Sequence, residues 1–219
     1  MRYYEVEARA VYRRVVREGW TQWNEVFEGG GGFADFPNRG FLEGVVGELA
    51  VGGRVLEYGC GTGPAACFLA GLGFRVDAVD LIPEAIALAE RFAEELGVRV
   101  NFGVQDVCRW PAEVETRYDV VLDSFCLQNI VLDEDRAAVF RGVRDRLLPG
   151  GRYLISTALY DEDRGYGEEF RYDAVTGICY RGELPYRRHL RPAALRAELV
   201  AAGFEVLSFS GNNLVCARG

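Results

Sequence analysis

From Arg54 to about Ser156 the chain alternates short β-branched runs with stretches of helical periodicity, and few folds accept that order. Strand, helix, strand, repeated in sequence, is the mark of βαβ units stacked on a parallel sheet. The first strand reads Arg54-Val55-Leu56-Glu57-Tyr58 and stops at glycines. A helix is expected over Pro64–Leu72, then a second strand over Phe74–Val79. The next helix opens on Pro83, carries Ala85, Leu88, Ala89, Phe92 and Leu96 on one face, and ends at Gly97. Proline in the first turn and glycine just past the last are ordinary helix punctuation. Further strands are expected at Val98–Val104, Tyr118–Leu122 and Arg152–Thr157, the last entered through the turn Pro149-Gly150-Gly151 after a helix over Asp133–Leu147. After Pro192 a helix runs to Ala202, and two strands follow, Phe204–Phe209 and Asn212–Ala217. The link between these two is too short for a parallel crossover, which needs a dozen or more residues. The expected fold is therefore α/β: a doubly wound, Rossmann-like sheet of seven strands, mostly parallel with one antiparallel strand, and helices on both faces.

A length of 219 residues favours one elaborated domain over two. Two segments stand outside the alternation, residues 1–41 and 160–190. Together they hold fifteen of the 27 aromatic residues, nine and six, in about a third of the chain. Aromatics concentrated on irregular connections point to the walls of a small-molecule pocket; the plainer alternative is that they seal sheet edges. The expected division is an N-terminal helical lid (1–41), a ligand-binding core (42–158), an inserted lid on the acceptor side (160–190), and a C-terminal helix with its strand pair (191–219). On this division Tyr12, Trp20 and Trp23 form one wall, and Tyr172, Tyr186 and His189 stand on the other.

The inventory of reactive side chains narrows the chemistry. All 25 basic residues are arginine, which excludes a lysine Schiff base, a Walker-type phosphate lysine and a Ser–Lys dyad. The single histidine, His189, cannot build a multi-histidine metal site, so no metal centre is expected. It is the one side chain whose unperturbed pKa, ~6.5, suits a base at neutral pH. A net charge of −8 disfavours a nucleic-acid substrate, and the basic run Arg187-Arg188-His189-Leu190-Arg191 reads as a solvated approach to the last helix. The six cysteines form no C-x-x-C pair and sit largely in apolar runs, as expected of reduced, buried thiols in a cytoplasmic protein. The charged N-terminus lacks the apolar core of a signal peptide, and no run approaches the ~20 apolar residues of a membrane span.

The loop Glu57-Tyr58-Gly59-Cys60-Gly61-Thr62-Gly63-Pro64 lies at the first strand-to-helix turn, where glycine lets the backbone approach a ligand that a Cβ would block. A dinucleotide fingerprint wants its third glycine at position 64, which is proline here. Asp80 ends the second strand, placed to accept from both hydroxyls of a ribose; the alternative is a cap on the Pro83 helix. The segment Val55–Gly63 resembles motif I of the class I S-adenosylmethionine-dependent methyltransferases. Val79-Asp80-Leu81 resembles their second motif, Gly103–Val107 their third, Tyr118–Asp123 their fourth, and Leu147–Gly151 the turn before their fifth strand. The segment Trp23-Asn24-Glu25-Val26-Phe27-Glu28-Gly29 also resembles the approach segment of small-molecule members of thiopurine-methyltransferase type.

The resemblance implies S-adenosylmethionine as cofactor and methyl transfer to a small-molecule acceptor. It implies a cofactor site at Glu57, Gly59, Gly61, Gly63, Asp80, Leu81, Ile82, Asp106, Val107 and Asp123, with Trp23 from the approach segment. Within it Asp80 holds the ribose, Leu81 and Ile82 pack on adenine, Asp106 and the Val107 amide meet the adenine edge, and Asp123 faces the methionine end. The chain departs from the family at Ser124–Ile130, where many members carry one or two histidines. Gln128 and Asn129 can orient an acceptor there but cannot act as a base near neutral pH. A dinucleotide-dependent oxidoreductase, disfavoured by Pro64 and Asp123, and a non-catalytic S-adenosylmethionine-binding module are the alternatives.

Overall fold

The structure, a computed structural model, describes residues 2–23, 25–28, 32–162 and 166–219, with the side chains of Phe27 and Glu28 left aside. Of the Trp23–Gly29 approach segment, Asn24 and Gly29 lie outside the described residues. The chain opens with helices α1 (Tyr3–Glu18), α2 (Glu25–Glu28) and α3 (Arg39–Val45). The alternating core follows as β1 (Arg54–Tyr58), α4 (Pro64–Gly71), β2 (Arg75–Asp80), α5 (Pro83–Leu96), β3 (Val100–Val104), β4 (Tyr118–Ser124), α6 (Asp133–Arg146) and β5 (Leu147–Ser156). Then come β6 (Phe170–Asp173), β7 (Ile178–Arg181) and β8 (Leu184–Arg188), and finally α7 (Pro192–Ala201), β9 (Phe204–Ser210) and β10 (Asn213–Arg218).

Seven strands form one sheet in the order β3-β2-β1-β4-β5-β10-β9. β1 through β5 pair in parallel, and β10 runs antiparallel to both its neighbours, as the short link before it demands. Alternation along each strand splits the core in two. Val55, Val120, Leu122 and Leu154 pack with Leu42, Ala66 and Leu69 from α3 and α4. Leu56, Tyr58, Val121, Tyr153 and Ile155 face the other way, onto Val139 and Phe140 of α6 and Leu195 and Leu199 of α7. Period-two side-chain direction is what makes the sheet a wall between two helical layers. A third cluster joins Val11, Tyr12 and Val15 of α1 to Ile82, Ala85, Leu88 and Phe92 beside and along α5, which seats α1 across the carboxyl end of β2.

Two expectations are corrected here. The fifth strand begins at Leu147, because Leu147 already pairs with Tyr118 before an irregularity in register that takes in the Pro149-Gly150-Gly151 turn. The connection 160–190 is not an irregular loop. It contains an antiparallel meander, β6-β7-β8, separate from the main sheet. Among the described residues, no helix is long and apolar enough to cross a membrane.

Candidate active site

Strand order reverses between β1 and β4, and the carboxyl ends of an open α/β sheet offer a crevice at such a point. A cavity of about 650 Å³ opens there, its floor made by the turns after β1, β2, β3 and β4 and its roof by α1, Gln22, Trp23, Phe36–Asn38 and the end of β8. The size falls within the ~300–1,000 Å³ typical of small-molecule sites.

The floor is set by backbone geometry. Gly59 and Gly61 sit at φ +62° and +57°, a region that strains other residues, and neither has room for a side chain. A Cβ on Gly59 would stand 2.4 Å from Cys126 Cβ and Sγ, and one on Gly61 would stand 2.4 Å from the Tyr12 hydroxyl. Asp80, at the end of β2, takes the Gly61 amide on Oδ2 and the Ile82 amide on Oδ1, each at 2.9 Å. The cap reading does not hold, since the N-cap of α5 is Ile82 and no described side chain caps that helix; Asp80 instead orders the turn through the Ile82 amide and lines the cavity. Burial raises its pKa, and the amide bonds offset part of that rise. Each carboxylate oxygen can accept more than one bond, so the floor amides leave capacity for a ligand hydroxyl.

Glu57 ends in the same cavity but has no such support. It is 1% exposed, and neither carboxylate oxygen meets a donor in full hydrogen-bond geometry among the described residues, although Ser124 and the Ala66 amide lie close. Burial pushes its pKa up to about 8; Ser124 and the Ala66 amide pull it down in part, and Asp123 and Asp80 push it further up. A buried carboxylate without a partner is costly, and a cationic ligand in the cavity removes that cost. Asp106 accepts the Tyr4 hydroxyl at 3.0 Å and the Cys108 amide at 3.0 Å. It lines the cavity together with Val107, Leu81 and Ile82.

The roof is held by side chains. The Tyr186 hydroxyl donates to Glu7 Oε1 at 2.7 Å and Arg187 donates to Glu7 Oε2 at 2.8 Å, tying β8 to α1. Arg187 also lies over the rings of Trp23 and Tyr186, and Trp23 packs edge-on against Tyr12. His189 is buried at the cavity wall, with Nδ1 3.0 Å from the Tyr166 hydroxyl. Gln128 also lines it, its Oε1 accepting the Ala158 amide at 2.7 Å.

The structure therefore brings together Glu57, Gly59, Gly61, Asp80, Leu81, Ile82, Asp106, Val107, Trp23, Tyr12, Gln128, Tyr186 and His189. It places four others elsewhere. A Cβ on Gly63 would meet the Phe102 ring at 2.9 Å and Ala89 at 3.2 Å, so that glycine serves the packing of α4 against α5 and β3. Asp123 is fully buried and turned away from the cavity, its Oδ1 taking the amides of Cys126 and Leu127. Its pKa rises to about 7 through burial, against the pull of those amides. Trp20 packs against the α1–α5 cluster with Arg14 over its ring. Tyr172 stacks between Tyr160 and Tyr166 and donates to the His189 carbonyl, supporting the wall from behind.

The arginine run is corrected as well. Arg187 and Arg188 are tied to Glu7 and Asp133, and Arg187 faces the cavity, so this stretch is not a solvated approach. Glu7 and Arg187 are site residues that sequence reasoning missed, since 180 positions separate them. Five of the six cysteines are buried, and Cys126 stands half-buried at the cavity wall. Among the described residues no cluster suited to a metal ion is found.

Comparison with known proteins gives this site its family. A family model described as a methyltransferase domain matches residues 55–151. The ubiquinone biosynthesis O-methyltransferase of Xanthomonas euvesicatoria pv. vesicatoria is 32% identical over 164 residues, covering 75% of this chain and 67% of that protein. The chain belongs to the class I S-adenosylmethionine-dependent methyltransferases. Its alternative as a dinucleotide-dependent oxidoreductase falls with that match. This methyltransferase spans about two thirds of the length of the curated relatives it matches. Its fold is shared with a methyltransferase of Clostridium acetobutylicum (TM-score 0.68, 16% identity, 95% of this chain and 99% of that one). It is shared equally with the CcbJ methyltransferase of Streptomyces caelestis (TM-score 0.67, 22% identity, 91% and 97%). S-adenosylmethionine is the cofactor of the family, and the floor of the cavity fits it. The Glu57 carboxylate suits its ammonium group and Asp80 its ribose hydroxyls, while Gly59 and Gly61 give the loop beside them its positive-φ turn.

Proposed function

We propose that this methyltransferase moves the methyl group of S-adenosylmethionine to a small-molecule acceptor by in-line displacement, and that the acceptor atom is a hydroxyl oxygen. The observation that carries the reading is a roofed cavity: the buried Glu57 carboxylate lies in its floor, and aromatic and polar side chains of α1 and β8 lie across from it. The hydroxyl is supported by the O-methyltransferase activity in the names of the sequence relatives. A small molecule, as opposed to a nucleic acid, is supported by the net charge of −8 and by Arg187 being spent on Glu7. When bound, the cofactor supplies a methyl group already activated on a sulfonium, with a neutral thioether as leaving group.

The chain's own task is positional. Glu57 and Asp80 hold one end of the site, and Asp106 and Val107 the other. Tyr12, Trp23 and Tyr186 exclude water and hold the acceptor oxygen in line at ~3–3.5 Å from the methyl carbon. His189, buried at the same wall, takes the hydroxyl proton as transfer proceeds. Residues 1–41 and 160–190 act as the two lids over a single domain.

The test is incubation with methyl-labelled S-adenosylmethionine and a panel of small phenols and alcohols, followed by extraction and chromatography. Label is expected in a small organic product, with one S-adenosylhomocysteine formed per methyl transferred. Label confined to protein or nucleic acid, or none above background with any hydroxyl compound, overturns the reading.

A further inference from the structure

The short turn after β4 carries a donor whose direction is fixed by the backbone. Gln128 Oε1 accepts the Ala158 amide at 2.7 Å, and a backbone N–H can only donate. The carboxamide is therefore locked with its oxygen toward Ala158 and its NH₂ away from it. That NH₂ has no hydrogen-bond partner among the described residues and is not fully buried, and Gln128 lines the cavity. Asn129 is locked in the opposite sense, donating from Nδ2 to the Phe125 carbonyl at 3.1 Å. The turn thus offers the cavity the Gln128 NH₂ as donor, with the Asn129 Oδ1 beside it as a buried acceptor that has no partner among the described residues.

Charge narrows what that donor can meet. Glu7, Glu57, Asp80 and Asp106 line the cavity against one guanidinium, that of Arg187, which is already bonded to Glu7. A ligand with a formal negative charge is repelled by such walls. A neutral oxygen is not, and it can still accept from Gln128. Phe125 and Tyr186 on the same walls favour a planar ring beside it.

Resting on the methyl-transfer reading above, we propose that Gln128 selects the acceptor. Its Nε2 donates to an uncharged oxygen, such as a carbonyl or ether, on an acceptor that carries a ring and no negative charge. Gln128 is a specificity-determining residue in this account, and the chemistry of transfer does not pass through it.

The test uses the full chain saturated with S-adenosylhomocysteine and three ring probes of matched size: acetophenone, benzoate and benzylammonium. Affinities are read by ligand-observed NMR in the native protein, in Gln128→Glu and in Gln128→Met. The glutamate keeps an oxygen for the Ala158 amide and replaces the donor with an acceptor; the methionine removes the donor in every protonation state. Acetophenone is expected to bind tightest to the native protein and to weaken about three- to tenfold in both variants, the loss of one neutral hydrogen bond. Benzylammonium is expected to gain in Gln128→Glu alone. Equal acetophenone affinity in the three proteins overturns the proposal. So does benzoate binding tightest to the native protein, or none of the three probes binding while S-adenosylhomocysteine does. Failure of S-adenosylhomocysteine itself to bind overturns the methyl-transfer reading along with it.

Discussion

The floor and the roof of the cavity are built by different means. In the floor, the Gly61 and Ile82 amides bond Asp80, the Cys60 amide bonds the Val79 carbonyl, and the Gln105 amide bonds the Asp80 carbonyl. Every one of these uses a backbone group at the end of a parallel strand. In the roof the ties run between side chains or from side chain to backbone: Tyr4 to Asp106, the Val131 and Leu132 amides to the Tyr3 hydroxyl, and Tyr186 and Arg187 to Glu7. The floor is rigid because the sheet that makes it must break to move it. Beyond the apolar seat of α1 on α5, the roof is held by a few polar ties, each removable without touching the sheet, and segments held in that way are drawn from the low-stability end of a structure. Binding strength should therefore reside in the floor, and access in the roof.

The largest effect is expected from Asp80→Ala. Two ligand hydroxyls lose a charged acceptor at about 1.5–3 kcal/mol each, and the Gly61 and Ile82 amides lose the partner that orders the turn. Affinity for S-adenosylhomocysteine should fall by about 100-fold or more by calorimetry. An unchanged affinity would place the cofactor away from the floor.

Glu57→Gln should weaken the same ligand about tenfold or more while leaving the unliganded protein about as stable near neutral pH, where burial keeps Glu57 protonated, and more stable at higher pH, where the buried charge would form. The pH dependence sharpens this point. Burial raises Glu57 to about 8 and Asp123 to about 7, above ordinary carboxylate values. The folded chain then keeps protons that the unfolded chain has released. This stability is complete below the ordinary carboxylate range and is lost as pH climbs toward those raised values. Melting temperature should fall between about pH 5 and 8, and less steeply in Glu57→Gln; a parallel fall in both proteins would mean Glu57 ionises without cost.

Glu7→Gln is expected to act least on affinity, no more than about threefold, because it removes a tie in the roof worth about 1.5–3 kcal/mol and touches no floor group. Its signature should be faster amide exchange in α1 and β8 with β1 and β2 unaffected. Uniform acceleration across the sheet would show that floor and roof open as one unit.

What the sequence determined alone follows from local rules. Period-two and period-3.6 patterns, with proline and glycine at the helix ends, placed β1 to β4 and α4 to α6 within a few residues, and the two-residue link fixed the antiparallel last strand. Strand-end positions likewise placed Glu57, Asp80 and Asp106 at one edge, because a parallel sheet delivers all its carboxyl ends to the same side. Side-chain direction was decided only by the tertiary structure. Asp123 shares that edge but turns back to hold the Cys126 and Leu127 amides, and Gly63 faces Phe102 across a packing contact. Trp20 and Tyr172 differ from Tyr12 and Tyr186 by nothing that composition records; packing against α5 or against Tyr166 sets which rings reach the cavity. Arg187 sat in a run that reads as solvated until Glu7 met it from α1, 180 residues earlier. Backbone pattern is local and can be read along the chain. A buried ion pair or an oriented carboxamide depends on which distant group the fold brings within hydrogen-bond reach, and no periodicity encodes that.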